Sequence, residues 1–131
     1  MNTANDQALK KMRELPAPQS CRLIDFDKAE VRPGFVDGTF FLIVNGNAPC
    51  FNMRVQLMPL IYIQRPEYWE IEVVGCQAGP VCLPAVKPYT ETLPLDGILG
   101  TKGIEVVGAS RRVKIEVKVG APVYGEPAMS R

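Results

Sequence analysis

The longest patterned run lies between Phe51 and Val74, FNMRVQLMPLIYIQRPEYWEIEVV. Phe51, Met53, Val55 and Leu57 are apolar, and Asn52, Arg54 and Gln56 between them are polar. Trp69, Ile71 and Val73 alternate in the same way with Tyr68, Glu70 and Glu72. Successive side chains leave a strand on opposite faces, so period 2 predicts two half-buried strands, with Trp69 on the core side. Gln64-Arg65-Pro66-Glu67 between them reads as a turn.

The same reading extends along the chain. Cys21–Val31 alternates imperfectly, as one strand does at a sheet edge or across a bulge. Arg32-Pro33-Gly34 turns, and the apolar, β-prone run Thr39–Val44 predicts a central strand covered on both faces. Asn45-Gly46-Asn47 is a hairpin-turn signal that would deliver the chain to the Phe51 strand. Pro59 ends or bulges that strand, since proline cannot donate to a ladder, and Leu60–Ile63 follows as a short strand after a sheet switch. Gly75–Pro80 reads as a loop, and between Pro84, Pro88 and Pro94 the best strand is Tyr89–Leu93. Ile104–Val107 is a strand and Ala109–Arg112 a hairpin tip. Val113, Ile115, Val117 and Val119 then share one buried face, while Lys114, Glu116 and Lys118 meet water. The segment Ile71–Gly75, IEVVG, returns at Ile104–Gly108, but the match does not extend, and it reads as generic strand-then-turn vocabulary.

About seven to eight short strands with turns every eight to twelve residues predict an all-β fold, a two-sheet antiparallel sandwich with a small β-barrel as the alternative. One short helix is expected over residues 4–15, where Leu9, Met12 and Leu15 form a narrow stripe that Pro16 and Pro18 stop. The predicted organisation is an N-terminal helix and Pro-rich linker over 1–18, a β-sandwich domain over 19–120, and a flexible C-terminal tail over 121–131. The layout is similar to that of immunoglobulin and fibronectin type III domains, in architecture alone. The cysteine–tryptophan–cysteine order of true immunoglobulin domains is not kept, because the sole tryptophan, Trp69, falls late, beyond Cys50.

Composition narrows the functional classes. Fifteen basic against fourteen acidic side chains give a net charge of +1, without the basic excess that nucleic-acid binding needs. Arg111-Arg112 is the only basic pair in a predicted turn and reads as a solvated hairpin tip. No apolar run approaches a membrane span, and MNTANDQALKKMREL lacks the apolar stretch of a signal peptide, so a cytoplasmic location is expected, with neither nucleic acid nor membrane as partner. In a reducing compartment Cys21, Cys50, Cys76 and Cys82 are expected as small buried hydrophobes; with no C-x-x-C pair, a zinc site or a disulfide is the lesser alternative.

The chain contains no histidine, which excludes His-dependent nucleophilic triads, His metal ligation and His-based pH switches. No phosphate-binding glycine loop occurs, and neither a cofactor nor a metal is expected. Asp25 and Asp27, about 7 Å apart if both lie on one strand, read as polar surface before they read as a catalytic pair. The residues best suited to recognition are Tyr62, Arg65, Tyr68 and Tyr89, because tyrosine and arginine are enriched at binding patches. The expectation is a non-enzymatic interaction module that self-associates or binds a protein partner. The alternative is a sugar- or peptide-binding domain whose four named side chains converge on one concavity. A thiol-dependent enzyme using Cys76 or Cys82 ranks last.

Overall fold

The computed structural model describes residues 20–118. The helix expected over residues 4–15 and the tail over 121–131 lie outside the described residues. Eight strands run in chain order: β1 Ser20–Leu23, β2 Lys28–Pro33, β3 Phe40–Ala48, β4 Met53–Pro59, β5 Tyr68–Gln77, β6 Lys87–Pro94, β7 Gly103–Val107 and β8 Arg112–Glu116. They form two sheets, one of five strands and one of three, with no closed barrel. Strand β5 organises the larger sheet. Along one edge it pairs with β4, and along the other it pairs first with β7 and then with β1, with β8 outside β7. In the smaller sheet β3 lies between β2 and β6.

Alternation explains the core. Met53, Val55, Ile71, Val73, Ile104 and Val106 point inward from the larger sheet and meet Leu42 and Val44 of β3. The alternating polar positions form the outer face, where Arg112 bridges Glu70 and Glu105 at 3.5 Å each.

Several sequence expectations need correction. Cys21–Val31 is not one strand: β1 belongs to the larger sheet and β2 to the smaller, and Ile24–Asp27 carries the chain across. Asn45-Gly46-Asn47 does not turn. Gly46 lacks the positive φ of a hairpin turn and stays in β3 opposite Tyr89. A Cβ on Gly46 would lie 2.9 Å from the Tyr89 hydroxyl and 3.0 Å from Phe26 Cα, so glycine is needed there for close approach. The turn falls instead at Pro49–Asn52, where Met53 N–H donates to the Cys50 carbonyl at 3.2 Å. Nor is the sandwich wholly antiparallel, because β5 and β7 run parallel. These are the two strands that carry the IEVVG echo. The glycine closing each copy makes room for the crossing segment: a Cβ on Gly75 would meet Met53 Sδ of β4 and, at 2.9 Å, Ile24 Cγ2, and one on Gly108 would meet the Phe26 ring at 3.0 Å. Leu60–Ile63, expected as a short strand, is loop.

The cysteines also depart from expectation. Cys21–Cys76 and Cys50–Cys82 are disulfides, and no free cysteine remains. Cys21 and Cys76 sit directly opposite each other on β1 and β5, with Cα atoms 4.1 Å apart, the close spacing of a non-hydrogen-bonded antiparallel pair. Cys50–Cys82 ties the β3–β4 turn to the β5–β6 loop, where Phe51 N–H donates to the Leu83 carbonyl at 2.9 Å. Arg111 is exposed, as expected of a hairpin tip, but not unengaged. Its guanidinium donates to the carbonyls of Phe26 and Asp27 at 3.0 Å and covers the Phe26 ring. The Asp25 carboxylate accepts from Ser110 N–H at 2.7 Å and from its hydroxyl at 2.8 Å, which hold its pKa below the usual carboxylate range.

Two outcomes follow. Replacing Cys50 and Cys82 together by serine should cost about 4 kcal/mol in denaturant unfolding, as expected for a crosslink closing a loop of this length. Thiol titration of the unreduced wild type should find no free thiol, in the native state or in denaturant. The second concerns Tyr89, whose hydroxyl donates to the Asp25 carbonyl at 2.9 Å and whose pKa is pushed up to about 12, first by burial and then by Asp27 and Asp25. The unfolded chain releases that proton from near pH 10 and the folded chain only near 12. Stability should therefore be constant below pH 10 from this group and fall through the window above it. Tyr89→Phe should remove that alkaline slope at a constant cost of about 1 kcal/mol for the lost hydrogen bond.

Candidate functional site

Three loops gather at one end of the sandwich: residues 34–39 between β2 and β3, residues 60–67 between β4 and β5, and residues 95–102 between β6 and β7. Each is shaped by local chemistry. Gly34 N–H donates to the Thr39 carbonyl at 2.8 Å, closing the first loop, and Gly38 turns it at φ 82°. In the second, Trp69 Nε1 donates to the Leu60 carbonyl at 2.8 Å, and Tyr62 packs edge-on against the indole with centroids 5.1 Å apart. Arg65 joins the second loop to the third, donating from Nε to the Leu99 carbonyl at 2.8 Å and from Nη2 to the Gly100 carbonyl at 3.2 Å. Thr101 and Lys102 N–H groups return hydrogen bonds to the Pro66 and Glu67 carbonyls.

Between the loops opens a cleft of about 610 Å³, lined by Tyr62, Ile63, Arg65, Trp69, Leu95 and Asp96 among others. Ile63, which lines it, is exposed to 104% of its reference surface. Ile61 on the same loop is exposed to 98%, and on the first loop Phe35, at 109%, lines a second cleft that shares Asp96, with Val36 exposed beside it. Asp96 lines the cleft and Asp37 adjoins the lining Gly38. Neither carboxylate takes part in an ion pair among the described residues.

Of the four residues singled out by sequence, Tyr62 and Arg65 come together in this cleft. Tyr68 does not. It lies on the outer face of the larger sheet, where its hydroxyl contacts Glu116 Oε2 at 3.3 Å and Lys114 Nζ stands 5.0 Å from the ring centroid. Burial, then the Glu116 charge, raise its pKa. Tyr89 is buried beneath the crossing segment. The four therefore do not share one concavity. Alternation around Trp69 separates Tyr68 from the cleft, and no local pattern revealed that Tyr89 pointed inward. Sequence reading missed Ile63 as a lining residue of the cleft, and Phe35 and Ile61 as exposed apolar side chains at the same end. Their signal was apolar residues beside Gly34 and around Tyr62, in segments without a partner of alternating polarity.

Among the described residues no group of three Cys, Asp or Glu side chains is placed to hold a metal ion. Asp25 and Asp27 fall on the crossing segment, where Asp25 is engaged by Ser110. Cys76 and Cys82 are both disulfide-bonded, so neither supplies a thiolate. No helix among the described residues is long and apolar enough to cross a membrane. The chain matches no family model, no curated protein and no solved structure.

Trp69 is half-buried rather than enclosed, and it carries both the cleft wall and the Leu60 hydrogen bond. Trp69→Ala should cost about 3 kcal/mol in denaturant unfolding, near the low end for large aromatics. A loss below about 1 kcal/mol would show that the indole does not support the loop.

Proposed function

We propose that this chain is a non-enzymatic interaction module that binds a protein partner at the loop end of its sandwich. The observation that carries the reading is a set of large, almost fully exposed apolar side chains on two loops at this end, Ile63 lining the cleft and Phe35 lining a second cleft that shares Asp96. Single exposed apolar residues are ordinary, but a contiguous patch around a concavity marks a contact surface. The chemistry selects the partner. The carboxylates of Asp37 and Asp96 beside an apolar cleft favour a segment that inserts an aliphatic or aromatic side chain and carries Lys or Arg next to it. Loops gathered at one end of a two-sheet sandwich suit this use.

A sugar- or small-ligand reading draws support from the size of the cleft, which lies in the ordinary range for ligand sites. Against it, the donors of the lining are already engaged, with Arg65 on two carbonyls and Trp69 Nε1 on a third, which leaves the Asp96 carboxylate beside an apolar surface. The protein reading is therefore preferred. Two disulfides fit an oxidising compartment better than the cytoplasm expected from the sequence.

A displayed random-peptide library screened on the wild-type chain should enrich sequences that place Lys or Arg beside a large apolar residue. Ile63→Asp and Asp96→Lys should each abolish that enrichment while shifting stability by about 0.5 kcal/mol or less, as for exposed positions. Enrichment of acidic sequences, or binding indifferent to both substitutions, would refute the proposed surface.

A further inference from the structure

The edges of the two sheets are not equally protected. In an antiparallel ladder, residues alternate between turning N–H and C=O toward the neighbour and turning them away. The hydrogen bond from Leu95 N–H to the Phe40 carbonyl sets the alternation of β6 against β3. On the free edge of β6 this leaves Thr90 and Thr92 as donors, bracketed by Pro88 and Pro94, which have no N–H. The same argument leaves Ala29 and Val31 outward on β2, followed by Pro33. On β4 the bond from Leu60 N–H to the Glu70 carbonyl leaves Val55 and Leu57 outward, followed by Pro59. Each of these edges meets a proline, a common block to strand addition. Strand β1 is only four residues long.

Strand β8 differs. The bonds from Val117 N–H to the Lys102 carbonyl and from Gly108 N–H to the Arg111 carbonyl bracket its ladder with β7. Val113 and Ile115 therefore turn their amides inward, and Arg112, Lys114 and Glu116 turn theirs to the open edge. The strand RVKIE contains no proline, and no strand among the described residues pairs with that edge.

We propose that two copies of this chain join edge to edge through antiparallel β8 strands related by a two-fold axis. The sequence of β8 is complementary to itself in the register that places Lys114 on the axis. Arg112 then faces Glu116 of the second copy, twice by symmetry, on the outer face. On the inner face Val113 faces Ile115, again twice, and these half-buried side chains gain cover. All three outward residues of each strand exchange both backbone hydrogen bonds. The one unfavourable pair is Lys114 against Lys114, and each of these ammonium groups has Tyr68 beside it and Glu105 opposite on β7. The result is one sheet continuous across two copies, with the isologous geometry of a closed dimer.

Sedimentation equilibrium on the full chain tests this. Wild type should be a reversible dimer. Glu116→Arg sets arginine against arginine twice and should weaken the dimer by about tenfold or more. The double variant Arg112→Glu/Glu116→Arg restores opposite charges and should recover it. Lys114→Pro removes an N–H that the monomer does not use and should give a monomer whose circular dichroism and thermal melt remain those of a folded chain. A wild type that stays monomeric into the high micromolar range overturns the proposal, as does a dimer indifferent to both Glu116→Arg and Lys114→Pro. Ile63→Asp should leave the dimer unchanged, so failure at the loop end and failure at β8 are read separately.

Discussion

The fold depends on how four residues, Ile24–Asp27, pass from one sheet to the other. Backbone that leaves a sheet loses its ladder, and its polar groups must be satisfied again inside a packed protein. Here they are. Ile24 N–H donates to the Val73 carbonyl, its own carbonyl accepts from Ala109 N–H, and Asp27 N–H donates to the Asn45 carbonyl. The Asp25 carbonyl takes the Tyr89 hydroxyl, and Arg111 takes the carbonyls of Phe26 and Asp27. Ile24 and Phe26 meanwhile bury their side chains. Glycines at 46, 75 and 108 all make room for this segment, one on β3, one on β5 and one just beyond β7. Both sheets are thus fitted around one crossing.

That crossing also explains what the sequence revealed and what it hid. Alternation made β4, β5 and β8 legible, because each strand has one wet face. It also placed Trp69 and Tyr68 on opposite sides of β5. The crossing was hidden because Leu23, Ile24 and Phe26 are apolar in a run whose neighbours are charged, which resembles a single irregular strand. Asn45-Gly46-Asn47 misled for a related reason: glycine serves close approach as well as turning, and the approaching groups, Tyr89 and Phe26, are distant in sequence. The disulfides were illegible on the same ground. Cys21 meets Cys76 only because β1 takes the part of β5's edge that β7 leaves vacant. Of the candidate site, Tyr62 and Arg65 were recoverable from residue type. The cleft itself was not, since it needs three loops to converge.

The two ends of the sandwich are built by different means. At one end a disulfide and the Asn52 side chain bind the β3–β4 turn to the β5–β6 loop, with Asn52 donating to the Ala78 and Val81 carbonyls and accepting from Leu83 N–H. At the other end the loops are held without a disulfide, by the hydrogen bonds of Arg65, the Lys102–Glu67 ion pair and the packing of Tyr62 on Trp69, and present Phe35, Ile61 and Ile63 outward. Segments without covalent closure or deep burial have the lowest local opening free energies, and contact surfaces that adjust to a partner are drawn from such segments. The division places rigidity where recognition is not proposed.

The Cys21–Cys76 bond has a mechanical consequence. The described chain enters at Ser20, opposite Gln77 at the far end of β5, and leaves beyond Glu116, at the end where β5 begins. Tension applied between these points would run along the strands. At the entry it would not peel β1 away, because the covalent link transfers the load directly into β5. From there the pull would be shared as shear across the parallel β5–β7 ladder and the antiparallel β7–β8 ladder, each loaded along its whole length at once. Under oxidising conditions the described residues would resist such a pull as one stiff unit. Reduction of one bond would let the first strand strip away and lengthen that unit by the residues preceding the crossing.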